Sequence, residues 1–311
     1  MGNVVNSTPQ AGGLGLIRSG KWRVQVYEGK YFIPDDWNVM LLTVIRVSGI
    51  FFLTPSGGSK MKQLLIYERP VQLNRVAHRN HRVVPSPGDF RFANAVNSVP
   101  LACVEFAQVV RQYPIVFAGN SADSVVPAAL LGLRSGQNLM VDEEGRWADG
   151  AYVPAFLRRY PFVLAEREPD AGDFTVCLDA AYDGIREGGE EGAPLFDEEG
   201  KDSALLTNAL QFLQEYQVHL ARTREFTEAL ATHGLLVSRQ INVQTAQGET
   251  FSIDGFFVVD EQKLRDLKGK ALQELAKSGN LGWIYAHLLS LGNVELLSRA
   301  LDKLAVPAAK H

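Results

Sequence analysis

The sequence predicts an α+β fold: an antiparallel strand meander with a long helix, a C-terminal β-hairpin and a terminal cluster of helices. Three observations lead there. Short apolar runs broken by Gly, Pro and Asp occupy much of residues 115–178, as strands of a meander do. A helical period with its own start and stop signals runs from Ser203 to Gly234. Apolar and polar residues alternate over 237–258, which marks a hairpin, and helical segments follow it. Strands first and helices later favour α+β over a parallel sheet.

In chain order, residues 1–60 come first, with glycine clusters, an aromatic patch from Trp22 to Trp37 and no sustained hydrophobic period. They are expected to pack loosely and add little to the core. Ser56-Gly57-Gly58-Ser59-Lys60 immediately precedes Met61, and a Ser-Gly-Gly triplet can be encoded by a purine-rich ribosome-binding sequence. Met61 is therefore read as the true start, residues 1–60 as a non-native N-terminal extension and 61–311 as a single domain. The alternative is a genuine amphipathic anchor or an added strand.

Gln63 to Tyr67 reads as a first strand stopped by Pro70, followed by a basic connector. Ser98 as cap and Pro100 as an early helical residue introduce apolar positions at Leu101, Val104, Phe106, Val109 and Val110, which predict a helix ending before Pro114. Ile115–Ala118, Val125–Leu133, Asn138–Val141, Phe162–Ala165 and Phe174–Leu178 are expected strands, with a short helix after Pro154. Ala181 to Lys201 is glycine-rich and acidic around Glu187–Glu191 and is expected to be a mobile surface loop.

Ser203 then caps the long helix, with Leu206, Leu210, Leu213, Leu220 and Leu230 on its apolar stripe and Gly234 at its stop. In the hairpin, Val237, Ile241 and Val243 alternate with polar residues and Gln247-Gly248 marks the turn. Phe251, Ile253 and Phe257 then alternate with Thr250, Ser252 and Asp254, which predicts Phe251 and Ile253 on the inner face. Gly279-Asn280 and Gly292-Asn293 divide the C-terminal region into three helical segments, and Pro307 ends the last.

Composition limits function. A chain of 311 residues with 46% hydrophobic content can bury a substantial core, and a net charge of −4 gives no reason to expect a nucleic-acid partner. The two cysteines, Cys103 and Cys177, lie in apolar stretches and read as core residues, so a reducing, cytoplasmic setting is expected. The longest apolar stretch, Val39 to Leu53, is shorter than a bilayer span and carries Arg46 at its middle, so no membrane span is expected.

Chemical motifs are few. His78 and His81 are spaced for a metal site, but Arg75, Arg79 and Arg82 surround them, and a solvated basic turn is the simpler reading. None of the histidines has an acidic residue two positions later, against a two-histidine, one-carboxylate iron site. There is no phosphate-binding Gly-Lys loop, and no cofactor is expected. Ser121 and Ser124 lack the Gly-x-Ser-x-Gly elbow and read as a polar loop. Asp142-Glu143-Glu144-Gly145 is echoed by Asp197-Glu198-Glu199-Gly200; paired acidic loops can hold calcium, but Asp and Gly are also ordinary turn residues and solvated turns are expected. His287, between apolar neighbours on a helix, reads as a hydrogen-bonded packing residue.

Several segments carry a family resemblance: Met61-Lys62-Gln63, Tyr113-Pro114-Ile115-Val116-Phe117, Ala129-Leu130-Leu131-Gly132-Leu133, Gln137-Asn138-Leu139, Tyr152-Val153-Pro154-Ala155-Phe156-Leu157-Arg158-Arg159-Tyr160-Pro161-Phe162, and Ile284-Tyr285-Ala286-His287-Leu288-Leu289-Ser290-Leu291-Gly292-Asn293. Over Met61 to Leu304 the chain resembles the SapC family of proteobacterial proteins, named from a surface-layer gene cluster. The resemblance implies no defined activity and provides no catalytic residues to map. It implies gene neighbourhoods with halogenase-like flavoproteins, oxygenases and outer-membrane receptors, and so an accessory role. The permease label that some members carry conflicts with the lack of apolar spans of about 20 residues.

Two functional readings follow. In the first, the chain is a non-catalytic binding or accessory protein, with a protein or small-molecule partner, whose recognition surface includes Trp147, Tyr152, Arg158, Arg159 and Tyr160, since aromatics and arginine suit interface hot spots. In the second it is an enzyme without a familiar motif, acting on amino-acid or peptide material, with Arg158 or Arg159 holding a carboxylate. A convergent pocket with a perturbed carboxylate or histidine beside those arginines would favour the enzyme, and a flat apolar patch the binder. Adjacent helical positions point about 100° apart, so one arginine should be exposed and the other buried against a carboxylate.

Overall fold

The computed structural model describes residues 65–166, 174–244, 248 and 250–305. Strands β1 (Pro70–Gln72), β2 (His81–Val83) and β3 (Ser98–Pro100) are followed by a 3-10 turn at Cys103–Glu105 and helix α1 (Phe106–Val109). After β4 (Ile115–Ala118) and β5 (Val126–Leu130) come helix α2 (Ala155–Arg158), β6 (Phe162–Glu166), β7 (Phe174–Asp179), β8 (Ile185–Glu187) and β9 (Ala193–Pro194). The long helix α3 (Ala204–Thr232) leads into β10 (Leu236–Gln244) and β11 (Thr250–Val259). Helices α4 (Glu261–Asp266), α5 (Gly269–Lys277), α6 (Asn280–Ser290) and α7 (Val294–Ala305) complete the described chain.

These strands form a five-stranded sheet ordered β10-β11-β4-β5-β3 and two three-stranded sheets, β1-β7-β6 and β8-β2-β9. Every pairing is antiparallel. The α+β class expected from the sequence is the class observed.

Both faces of the five-stranded sheet are buried at β3, β4 and β5, which explains why β4 reads as a continuous apolar run. Successive side chains on a strand point to opposite faces. Ile115 and Phe117 therefore join the main core, with Tyr216 and Phe226 of α3 and Ile284 of α6. Val116 and Ala118 face a second core closed by Leu297 and Leu301 of α7. The sheet of β6 and β7 divides in the same way: Val163 and Cys177 enter the main core, while Phe162 and Leu178 face a third cluster with Leu206 and Leu213 of α3.

Helix α3 starts and stops where its sequence signals lie. The Ser203 hydroxyl accepts a hydrogen bond from the Leu206 N–H at 3.3 Å, and Gly234 leaves the helix at φ +62°. The hairpin pairs as expected, but with a bulge. Arg239 is opposite Phe256 while Ile241 is opposite Ile253, so β11 carries one extra residue in this interval, which contains Gly255 at φ +75°. The inner face consequently changes parity: Ile253, Phe256 and Val258 share the second core, and Phe257, expected beside Ile253, packs on the opposite side of the sheet. The Phe251 side chain lies outside the described residues.

Other expectations are corrected. Residues 98–100 form strand β3 instead of a helix start: Val99 pairs with Ala129 and Pro100 with Ala128 at the sheet edge, where a missing N–H is tolerated. The helical cap sits four residues later, where Glu105 Oε2 accepts from the Ala102 N–H at 2.9 Å. Pro70 begins β1 instead of stopping a strand, and residues 65–69 are turn and bend apart from a bridge at Tyr67. Asn138–Val141 is no strand; the Asn138 side chain donates to the Ala93 carbonyl and accepts from the Met140 N–H, turning the chain locally.

The expected loop at 181–201 instead supplies β8 and β9 on either side of β2, with Leu195 and Phe196 buried. Among the described residues the C-terminal region has four α-helices rather than three segments, because Leu267 and Lys268 are extended and break the chain just before Gly269 at φ +59°. Gly279 breaks the chain as expected, at φ +79°, whereas Leu291–Asn293 only tightens into a 3-10 turn. Residues 1–60, the Met61 start and Pro307 lie outside the described residues. Among the described residues no helix is long and apolar enough to cross a membrane.

Candidate functional site

The site is organised around Glu105, a carboxylate from the turn preceding α1 that reaches the start of α2. Its Oε1 accepts from the Ala155 N–H at 2.7 Å and the Tyr152 hydroxyl at 3.0 Å, while Oε2 holds Ala102. A four-residue helix leaves most of its backbone donors unsatisfied, so this side chain gives α2 the cap its own sequence lacks. Burial pushes the Glu105 pKa above the usual carboxylate value, against the pull of these donors. Burial also raises Tyr152, with the Glu105 charge adding to the shift, up to about 12.

The two arginines divide as their angular separation requires. Arg158 is exposed; its Nε donates to the Val153 carbonyl and an Nη to the Tyr152 hydroxyl, both at 3.1 Å, and its guanidinium lies 5.2 Å from the Phe212 ring. Arg159 is buried, at 5% exposure, but among the described residues no carboxylate pairs with it. Its guanidinium lies 4.2 Å from the Phe156 ring and 5.6 Å from those of Tyr67 and Tyr216. The expected ion pair is replaced by aromatic faces, whose quadrupoles attract a cation without being charged. Among the described residues its buried Nε has no hydrogen-bond partner, and neither has the buried Tyr216 hydroxyl.

Hollows lie on both sides of Arg158. The first, about 480 Å³, is walled by Phe90, Phe92, Arg159, Tyr160, Tyr182 and Phe212. Tyr160 stacks on Phe92 with ring centroids 4.1 Å apart and meets Tyr182 edge-on. The second, about 310 Å³, is bounded by Glu105, Gln108, Tyr152, Tyr216 and His219. A third, about 720 Å³, lies beside β2, where Arg79 and Arg82 already donate to the backbone carbonyls of Glu198 and Gly192.

Of the sequence-derived candidates, Tyr152, Arg158, Arg159 and Tyr160 meet around α2. Trp147 does not join them: it is 8% exposed in the main core, and its indole N–H donates to the Tyr113 hydroxyl at 3.2 Å. Sequence reasoning missed Glu105, Tyr67, Phe212 and Tyr216. Glu105 left one signal, an acid between Val104 and Phe106 in an apolar run. The others are aromatics from distant segments with no local mark.

The remaining candidates are structural. His287 is fully buried; its Nε2 accepts from the Val259 N–H at 3.0 Å, so Nδ1 carries the proton and donates to the Ile115 carbonyl at 2.8 Å. Burial lowers its pKa to about 4. Cys103 and Cys177 are free and buried, and burial raises both thiols. Ser121 and Ser124 bond to each other. Both acidic tetrads close turns on themselves, Asp142 accepting from the Glu144 and Arg146 N–H groups and Asp197 from that of Lys201. Among the described residues no group of three or more His, Cys, Asp or Glu could hold a metal ion.

Fold and site together define an antiparallel α+β protein with an arginine held among aromatic rings at the wall of a cleft. The SapC family model matches residues 73–297, and the chain belongs to that family. Searches of curated proteins and of solved structures found no match.

Proposed function

We propose that this chain is a non-catalytic, cytoplasmic binding or accessory protein linked to a surface-protein or outer-membrane uptake system, and that it captures its partner at the cleft beside α2. The observation that supports this is Arg159, a buried arginine of the cleft's lining with aromatic neighbours and, among the described residues, no ion-pair partner. A charge taken out of water is tolerated when something compensates it, and a ligand in the cleft would do so.

The alternative, an enzyme acting on amino-acid or peptide material, draws support from the raised pKa of Glu105 beside Arg158. It is the secondary reading because the two Glu105 oxygens already accept three hydrogen bonds, from Tyr152 and Ala155 at α2 and from Ala102 at the start of its own turn. Native mass spectrometry of the chain purified from its own cells tests the primary reading. The expected result is a retained small molecule or partner that is lost when Asn208→Trp fills the cleft from an exposed position on α3. Equal retention by parent and variant, or none by either, would count against it.

A further inference from the structure

We infer that the cleft beside α2 takes a monocarboxylate with an apolar, ring-sized body. This rests on the binding reading above and adds the chemical class of the ligand.

The positive end of the site is Arg159. An arginine at 5% exposure requires compensation, and three aromatic faces, with the Tyr67 hydroxyl beside the guanidinium, supply part of it. Two buried carboxylates act on the same tyrosines, Asp179 on Tyr67 and Glu105 on Tyr216. Both are engaged elsewhere. Asp179 accepts from the Glu68, Arg69 and Ala181 N–H groups, and Glu105 from Ala102, Ala155 and Tyr152. Among the described residues no carboxylate forms an ion pair with Arg159, a residue of the lining of a cleft large enough for a ligand.

The geometry also limits the ligand's charge and body. Arg158 has Nε and an Nη committed to Val153 and Tyr152, so it serves as a rim cation rather than a second free fork. Asp89, also in the lining, adds negative potential while bound by Arg91. One available guanidinium facing one carboxylate suits a singly charged anion better than a phosphate dianion. The Phe92–Tyr160 stack, with Phe90, Tyr182 and Phe212, provides faces and edges for a ring or a compact aliphatic body.

Isothermal titration of the purified chain with phenylacetate, 2-phenylethanol and inorganic phosphate tests this. Phenylacetate and 2-phenylethanol share a ring and differ in the charged end. Phenylacetate is expected to bind at least about tenfold more tightly than 2-phenylethanol, because a charge-assisted bond to Arg159 is available to it alone. Arg159→Met should reduce phenylacetate to the level of the alcohol, Arg159→Lys should restore part of the difference, and Asn208→Trp should abolish binding of both. Melting curves establish that each variant folds; if Arg159→Met does not, the Lys variant and Asn208→Trp carry the test.

Equal binding of phenylacetate and 2-phenylethanol, blocked by Asn208→Trp, would overturn the carboxylate and leave the binding reading standing. Tighter binding of inorganic phosphate would do the same. Binding unaffected by Asn208→Trp would overturn the location. No binding of any probe would overturn the inference, while retention of a native molecule decides the binding reading separately.

Discussion

Arg159 and His287 are both buried and basic, and they meet burial in opposite ways. His287 becomes neutral and uses both ring nitrogens on backbone partners. With its pKa lowered to about 4 in the folded chain and near 6.5 when unfolded, the unfolded state binds more protons between those values. Its contribution to stability is full above about pH 6.5 and is lost as pH falls toward 4, by up to about 1.4 kcal/mol per unit. The raised pKa of Glu105 acts with opposite sign, because there the folded state holds the proton longer as pH rises. Urea unfolding at pH 7 and pH 5 of the parent and His287→Leu isolates the histidine: the parent should lose stability faster on acidification. At pH 7 His287→Leu should cost about 2–5 kcal/mol, since it strands the Val259 N–H and the Ile115 carbonyl. Arg159 instead meets aromatic rings, and with no ion-paired carboxylate among the described residues left behind on its removal, Arg159→Met should cost less than about 2 kcal/mol by urea unfolding. A loss of about 3–5 kcal/mol would instead reveal a buried counter-charge.

Individual elements show where local sequence is sufficient. Asp142-Glu143-Glu144-Gly145 and Asp197-Glu198-Glu199-Gly200 fold alike, each with the Gly N–H bonded to the Asp carbonyl and Gly at positive φ, +84° and +79°. The same four residues give the same turn in two unrelated surroundings. An added methyl at Gly200 would meet nothing within 4 Å, so Gly200→Ala isolates the cost of the left-handed backbone, about 1–2 kcal/mol by thermal unfolding. The Ser203 cap and Gly234 stop of α3 were legible for the same reason: both act within one turn of the chain. The strand at 98–100 and the sheet at 185–194 were not. Ser98 and Pro100 carry the letters of a helix start, but pairing with β5 places them at a sheet edge. The glycines and acids of 181–201 conceal two short strands whose partner, β2, lies about a hundred residues earlier.

At the scale of the whole molecule, the centre of the five-stranded sheet is buried on both sides at β4 and β5, and α7 contributes Leu297 and Leu301 to one of them. The double variant Leu297→Ala/Leu301→Ala should cost at least about 4 kcal/mol and increase binding of a hydrophobic dye, because it opens a cavity against β4, β5 and β11. An unchanged urea midpoint would show that α7 contributes little to that core. The sequence by itself determined the fold class, the long helix with its ends, the hairpin, the short helix after Pro154 and the resemblance borne out by the family match. It also required Arg158 and Arg159 to point apart. Only the tertiary structure decided what each side chain meets: Glu105 with Ala155, Arg159 with Tyr67 and Tyr216, His287 with Ile115. Hydrophobic period records the face on which a residue lies, because that depends on backbone geometry within a few residues. The opposing residue depends on how distant segments close on one another, and an arginine beside a carboxylate and an arginine among aromatic rings leave the same mark in the local sequence.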